Sequence, residues 1–203
     1  KLRVQMRSEI LNLHQKIKRT VVYVTHDQIE AMTMGDRIAV MNGGIIQQCD
    51  KPQMVYSNPA NLFVAGFLGS SPMNFLPVQI KKAAAGYVAA CLQFKIPLDQ
   101  NRFGSRLAAY EGKQMVAGVR PEHVCCGNNG ELEGRISIIE KIGAEYLITA
   151  NLGGIEFESK AKSVKGMNVG TMISFSIPQR SLYLFDQDSG ENVLYDSKVN
   201  SKI

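Results

Sequence analysis

Thr20-Val21-Val22-Tyr23-Val24-Thr25 is an unbroken run of β-branched and aromatic side chains. Such residues suit a pleated surface, and the lack of polar alternation predicts a strand covered on both faces. A strand of that kind needs sheet neighbours, so the run sets the first demand on the fold. The residues before it read as a helix over 1–18. Leu2, Met6, Ile10, Leu13 and Ile17 make one apolar stripe at helical spacing, and Lys16, Lys18 and Arg19 place cations at its C-terminal end. After the run, Asp27 is a good N-cap and Glu30 follows three residues on, the capping-box spacing that opens a short helix.

The texture then changes twice. Arg37–Met41 and Ile45–Gln48 flank Asn42-Gly43-Gly44, a hairpin pattern in which Asn-Gly is expected to supply the positive φ angles. Asn58-Pro59 predicts a helix start leading into Leu62-Phe63-Val64-Ala65. The stretch 66–72, Gly-Phe-Leu-Gly-Ser-Ser-Pro, reads as a domain boundary. Beyond it no long helix is expected. Strands are expected at Phe75–Ile80, Tyr87–Phe94, Gln114–Val119, Leu132–Ile139, Tyr146–Asn151, Ile155–Glu158, Thr171–Ser176 and Leu182–Phe185. Turn signals lie between them at 127–130, 153–154, 165–166 and 188–190. Many short strands at that spacing suggest a small barrel or sandwich. The layout is an α/β piece followed by an all-β domain.

Composition narrows the classes. With 45 % hydrophobic and 20 % charged residues in 203, the chain is globular rather than disordered. Its net charge of +5 is mild and spread out, with eight basic and five acidic side chains before residue 67 and fifteen and thirteen after it. That is no dense basic face of the kind nucleic-acid binders carry. No apolar run approaches the roughly 18 residues that span a bilayer, and no signal peptide is expected in a chain whose first residues are charged and amphipathic. The first residue is Lys1, not Met, which suggests a start inside a longer polypeptide. Cys49, Cys91, Cys125 and Cys126 form no C-x-x-C pair and read as reduced, small apolar residues.

The informative constellation is the 20–25 run delivering His26 and Asp27 at its carboxyl end, where parallel α/β sheets bind ligands. A histidine there can donate to a phosphate oxygen and hold a water in line. Taken by itself it reads more readily as a polar loop residue beside an ordinary cap. The wider stretch V-Y-V-T-H-D-Q-I-E-A-M-T-M-G-D-R-I-A-V-M-N-G-G (22–44) resembles the switch-histidine region of ABC transporter ATPases. The likeness continues through Lys51-Pro52, Tyr56, Asn58-Pro59 and F-V-A-G-F-L-G-S-S-P-M-N-F-L-P (63–77). Gly118-Val119-Arg120-Pro121-Glu122-His123 then resembles the G-x-R-P-E-H motif of an accessory domain. That domain occurs in the maltose-type carbohydrate importer subgroup and its sugar-alcohol and glycerol-phosphate relatives.

The resemblance implies an α/β fragment of an ABC ATPase domain over 1–68, followed by an all-β OB-type (transport-associated OB) regulatory and dimerisation domain over 69–203. Within 1–68 it implies a helix following the dimer-contact loop, the switch-His strand, a hairpin and an exit helix. It implies His26 as the catalytic switch residue that contacts the ATP γ-phosphate. Arg120, Glu122 and His123 are carried over as motif positions with a structural role, a Pro-fixed turn with an internal Arg–Glu contact. Phe75 and the Met73-Asn74 turn are candidates for the domain junction, with core packing as the alternative. The implied cofactors are ATP and Mg²⁺ in the intact protein, with neither binding tightly to this chain alone. The implied partners are a second copy, transmembrane permease subunits and a possible regulatory protein on the β domain, at the inner face of the cell membrane. No G-x-x-x-x-G-K-[ST], LSGGQ-like or Walker-B-like stretch occurs in these residues, so the chain by itself is expected to be inert as an ATPase. A different class stays open: a freestanding OB-type module for nucleic acid or a small oxyanion. Such modules present stacked aromatics in a basic groove, whereas Tyr87, Phe94, Tyr146, Phe157, Phe175, Tyr183 and Phe185 mostly fit alternating strand cores and the chain has no tryptophan.

Overall fold

A computed structural model describes residues 2–69, 71–127 and 129–195. The turn read at 127–130, the boundary read at 66–72, the start of the first helix and the C-terminal end of the β domain are therefore covered only in part.

Period-two alternation builds the larger body. In β3 (Asn74–Ala83), Leu76, Val78 and Ile80 are buried while Pro77 and Lys81 face water. β3 pairs antiparallel with β4 (Gly86–Ala90) and with β6 (Gln114–Val119). β4 also pairs with β5 (Lys95–Pro97), and β6 with β12 (Tyr183–Asp186), giving one five-stranded sheet in the order β12-β6-β3-β4-β5. The second sheet runs β10-β9-β8-β11-β7, from β7 (Cys125–Gly127), β8 (Leu132–Ile142), β9 (Glu145–Leu152), β10 (Ile155–Ala161) and β11 (Met172–Ser176). Inner faces of both sheets share one core, in which Leu76, Ile80 and Met115 of the first meet Ile136, Phe157 and Phe175 of the second. Phe157 and Phe175 pack edge to face with centroids 5.2 Å apart. A bulge between Ile136 and Ile138 turns Ile138 outward.

Two expected features differ here. The strand expected over Tyr87–Phe94 ends at Ala90, because the chain turns back through a Cys91 N–H to Phe94 carbonyl bond (3.0 Å) and re-enters the sheet as β5. β7 and α5 (Gln100–Phe103) are too short to carry a periodic signal.

The N-terminal part has α1 (Leu2–Ile17), α2 (Gln28–Met34), the hairpin β1 (Ile38–Asn42) and β2 (Ile45–Asp50), α3 (Pro52–Ser57) and α4 (Leu62–Phe67). Ile38, Val40, Val55, Val64 and Leu68 form its small core, with Ala31, Met32 and Phe63 against it. The hairpin turn is Gly43-Gly44, both left-handed at φ 55° and 80°, while Asn42 closes the ladder opposite Ile45. Both positive φ angles thus fall on glycines and not on Asn42. Asn58 is likewise not a helix start. It follows α3, which opens at Lys51-Pro52, and the cap of α4 is Asn61, whose side chain accepts from Val64 N–H.

The 20–25 run is not a strand. Residues 20–25 join no ladder among the described residues, and Val22 and Val24 are 87 % and 89 % exposed. β-Branched side chains prefer an extended backbone but cannot close a ladder without a neighbour. α1 buries none of its residues, so its stripe also lies open. From the sequence, residues 1–66 are expected to be poorly ordered, partnered by another chain, or cut from a longer protein; in the structure 28–68 packs on its own core and on the β body, whereas no described residue of 2–25 enters a core cluster.

Candidate functional site: the His26 loop and its junction with the β body

His26 stands exposed in the turn before α2, and its imidazole makes no hydrogen bond to the described residues. The turn beneath it is tightly held. Asp27 caps α2, accepting at Oδ1 from Ile29 N–H (2.9 Å) and Glu30 N–H (3.2 Å). Those bonds hold its carboxyl below the usual range, although part-burial opposes them; Arg7 and Arg3 assist, Arg3 lying 3.5 Å from Oδ2. Glu30 does not complete a capping box. Its buried carboxylate accepts instead from Thr25 Oγ1 (2.7 Å) and Tyr23 OH (3.2 Å), while the Asp27 N–H donates to Thr25 Oγ1 (2.9 Å). Part-burial and then the Glu30 carboxylate raise the Tyr23 phenol. The same residues that fail to pair as a strand thus anchor the loop that presents His26.

The G-x-R-P-E-H motif sits at the other end of the junction. Arg120 follows β6 and is only 1 % exposed. Its Nη1 donates to the Leu68 carbonyl (2.6 Å) and its Nη2 to the Tyr56 carbonyl (2.9 Å), and its guanidinium lies 3.7 Å from the Tyr56 ring centroid. The expected structural role holds, but the expected internal Arg–Glu contact does not. Glu122 accepts from the Tyr56 hydroxyl, so it meets Arg120 through the tyrosine, and the motif faces the N-terminal part. Burial and then the Glu122 bond push the Tyr56 phenol up to about 12, while burial pulls the Arg120 guanidinium down. Gly69, at φ 131°, leaves room for this arrangement, because a Cβ there would lie 3.1 Å from Arg120 Nη1.

Further contacts close the same seam. Tyr183 OH donates to the Ser57 carbonyl (2.9 Å), and the buried Asn192 donates through Nδ2 to the Pro59 carbonyl (2.8 Å) and through its N–H to Ala60 (2.9 Å). Ala65 packs with Met73, Tyr183 and Phe185, and Phe75 meets Phe185 edge to face at 6.0 Å. A cleft of about 540 Å³ opens beside the seam, lined by Ser57, Glu122, His123, Cys125, Arg180 and Tyr183 among others. Cys125 is exposed there, and the neighbouring Cys126 thiol is raised by burial while Ser159 lies 2.8 Å from its sulfur.

Known proteins repeat this organisation. A family model described as the MalK OB fold domain matches residues 69–124, and one described as the TOBE domain matches residues 117–185. The sn-glycerol-3-phosphate import ATP-binding protein UgpC of Ruegeria sp. (strain TM1040) is 42 % identical over 198 residues, covering 95 % of this chain and 52 % of that protein. The trehalose/maltose import ATP-binding protein MalK of Thermococcus litoralis is 37 % identical over 202 residues, covering 95 % and 54 %. Residues 69–185 carry the MalK OB fold and TOBE domains, and the relatives that match across this chain are import ATP-binding proteins. It spans about half the length of the curated relatives it matches. Among solved structures, the cytoplasmic molybdate-binding protein ModG aligns with a TM-score of 0.43 at 19 % identity, over 58 % of this chain and 96 % of that one.

The MalK-type assignment agrees with the resemblance carried by 22–44, 63–77 and 118–123. Gln28, Tyr56, Tyr183 and Asn192 were not legible as junction residues, because each side chain acts on a group far away in sequence: a backbone carbonyl or amide for Gln28, Tyr183 and Asn192, and the Glu122 carboxylate for Tyr56. The aromatics read as strand-core residues lie as expected: Phe94, Phe157, Phe175, Tyr183 and Phe185 are buried, and Tyr87 and Tyr146 are half-buried. Among the described residues, no helix is long and apolar enough to cross a membrane.

Proposed function

We propose that this chain is the portion of an ABC importer's ATP-binding subunit that carries the switch histidine and the regulatory β domain, divided at residues 68 and 69. The observation that carries the reading is His26, exposed on an anchored loop, in a chain 42 % identical to an import ATP-binding protein. In that reading residues 1–68 are the C-terminal part of the α/β nucleotide-binding domain, and 20–25 becomes a strand once parallel neighbours flank it. His26 is then carried at the strand's carboxyl end, where an imidazole N–H can donate to a γ-phosphate oxygen and its other face can orient the attacking water. Asp27 and Glu30 do not touch substrate; they hold the loop through the bonds above. Mg²⁺ and the phosphate cradle come from the other half of the domain, because positioning and charge neutralisation supply nearly all phosphoryl-transfer catalysis and one imidazole provides neither.

The whole subunit would pair with a second copy, drive transmembrane permease subunits from the inner face of the membrane, and import a carbohydrate or related solute. The β domain supports dimerisation and offers the docking surface for a regulator. The test is a chimera in which this chain replaces the matched half of the Ruegeria relative. Hydrolysis should persist and should fall at least about a hundredfold in His26→Ala, the scale lost with one positioned catalytic group. Turnover unaffected by His26→Ala would overturn the reading. The 203-residue chain alone should show no turnover.

A further inference from the structure

Residues 67–69 are gripped from two sides. From one side, Gln28 of α2 donates through Nε2 to the Phe67 carbonyl and accepts at Oε1 from the Gly69 N–H (2.9 Å), so one amide side chain closes around the Leu68 peptide. From the other, Arg120 Nη1 donates to the Leu68 carbonyl at 2.6 Å. Leu68 is itself buried in the core with Ile38, Val40, Val55 and Val64, so the segment has little freedom to absorb a shift from either side. Gln28 stands two residues after His26 at the first position of α2, while Arg120 stands where β6 leaves the β body.

We propose that Gln28 and Arg120 form a positional link through residues 67–69, so that the setting of the β body fixes the setting of the His26 loop. Gln28 is the positioning residue, and a partner that shifts the Arg120 turn acts on His26 through it. The route is short and polar at each step, from His26 through α2's first residue to Phe67 and Gly69, across the Leu68 carbonyl, and into Arg120 with its Tyr56 and Glu122 contacts. Both grips act on consecutive peptide groups, so releasing either one frees the same segment. The purpose of the link rests on reading His26 as the γ-phosphate contact. Its existence does not.

Amide hydrogen exchange on the full 203-residue chain tests it, with Gln28→Glu, Arg120→Lys and the double variant. Glutamate keeps the acceptor for Gly69 but loses the donor to Phe67, and lysine cannot serve the Leu68 and Tyr56 carbonyls together. Each single change should speed exchange at residues 26–34 about five- to tenfold, the scale of one lost hydrogen bond in local opening. The double variant should exchange no faster than the faster single, while 114–119 stays protected in Gln28→Glu. A purely structural Arg120 would loosen 55–57 and 119–124 without reaching 26–34. Unchanged exchange at 26–34 in Arg120→Lys, or single effects that multiply in the double variant, would overturn the link.

If Arg120→Lys fails to fold, coupling is reciprocal and is read from the other end. The Arg120 Nε–H is buried and without a partner among the described residues, which gives it a distinctive nitrogen–proton resonance. That resonance should shift in Gln28→Glu, and an unmoved resonance would refute the proposal. Neither experiment contains nucleotide. A negative result removes the link and leaves the reading of His26, whereas a chimera indifferent to His26→Ala removes the reading and leaves the link.

Discussion

Arg120→Met should cost about 3 kcal/mol of folding stability. Two charge-assisted hydrogen bonds, to Leu68 at 2.6 Å and Tyr56 at 2.9 Å, are each worth roughly 1.5–3 kcal/mol. The desolvated guanidinium over the Tyr56 ring adds about 2 kcal/mol, for roughly 5–8 in all. Against this, the substitution relieves the unpaired buried Nε–H, about 1–3 kcal/mol, and part of the cation's desolvation. Methionine fills most of the volume, so the loss reports the polar contacts rather than a cavity. Urea unfolding followed by far-ultraviolet dichroism and tyrosine fluorescence is the assay, since the chain contains no tryptophan. At a slope of about 1–3 kcal/mol per molar, the midpoint should fall by more than about 1 M with the slope unchanged. A loss below about 1 kcal/mol would refute the claim that Arg120 holds the two parts together.

Other outcomes follow from the same contacts. Tyr56 is pushed up to about 12 in the folded chain from about 10 unfolded, so its contribution is fully present below pH 10 and is lost as pH rises from 10 to 12; with the ring only partly buried it amounts to about 1 kcal/mol, and Tyr56→Phe should remove it from a pH series of unfolding curves. Gly118→Ala should cost about 1–3 kcal/mol by urea unfolding, because a Cβ there would lie 2.6 Å from Met73 Sδ and 2.8 Å from Phe185 Cε2. Phe157→Ala empties the centre of the shared core and should cost about 3–5 kcal/mol, lowering the thermal midpoint by more than about 10 °C.

The β body was legible because short β-rich runs lie between turn signals, with clean alternation in β3 and in the first half of β8. Gln114–Val119 falls on β6 as expected, and the other seven expected strands differ from expectation mainly at their ends. What escaped the sequence was which partner each polar side chain takes. Capping-box spacing at Asp27 and Glu30 is local information, yet Thr25 and Tyr23 claim the Glu30 carboxylate in three dimensions. Asn58-Pro59 has the composition of a helix start, but Gln48 and Asn192 bind the carbonyls of Asn58 and Pro59 and keep that stretch irregular. The 20–25 run shows the opposite failure. Its strand propensity is real, and propensity without a neighbour forms no ladder. His26 was legible from its motif, whereas the Gln28 and Arg120 grips on residues 67–69 needed coordinates, since glutamine and arginine carry no sequence signal for a distant carbonyl.

Amide exchange at residues 20–25 tests most directly whether this chain is part of a larger ATPase sheet. In the 203-residue chain these amides have no backbone partner among the described residues and should exchange near the unprotected rate. In the chimera with the other half of the Ruegeria relative they should become protected by about a hundredfold or more, as buried ladder hydrogen bonds are. A chimera that hydrolyses ATP while 20–25 stays unprotected would contradict the account.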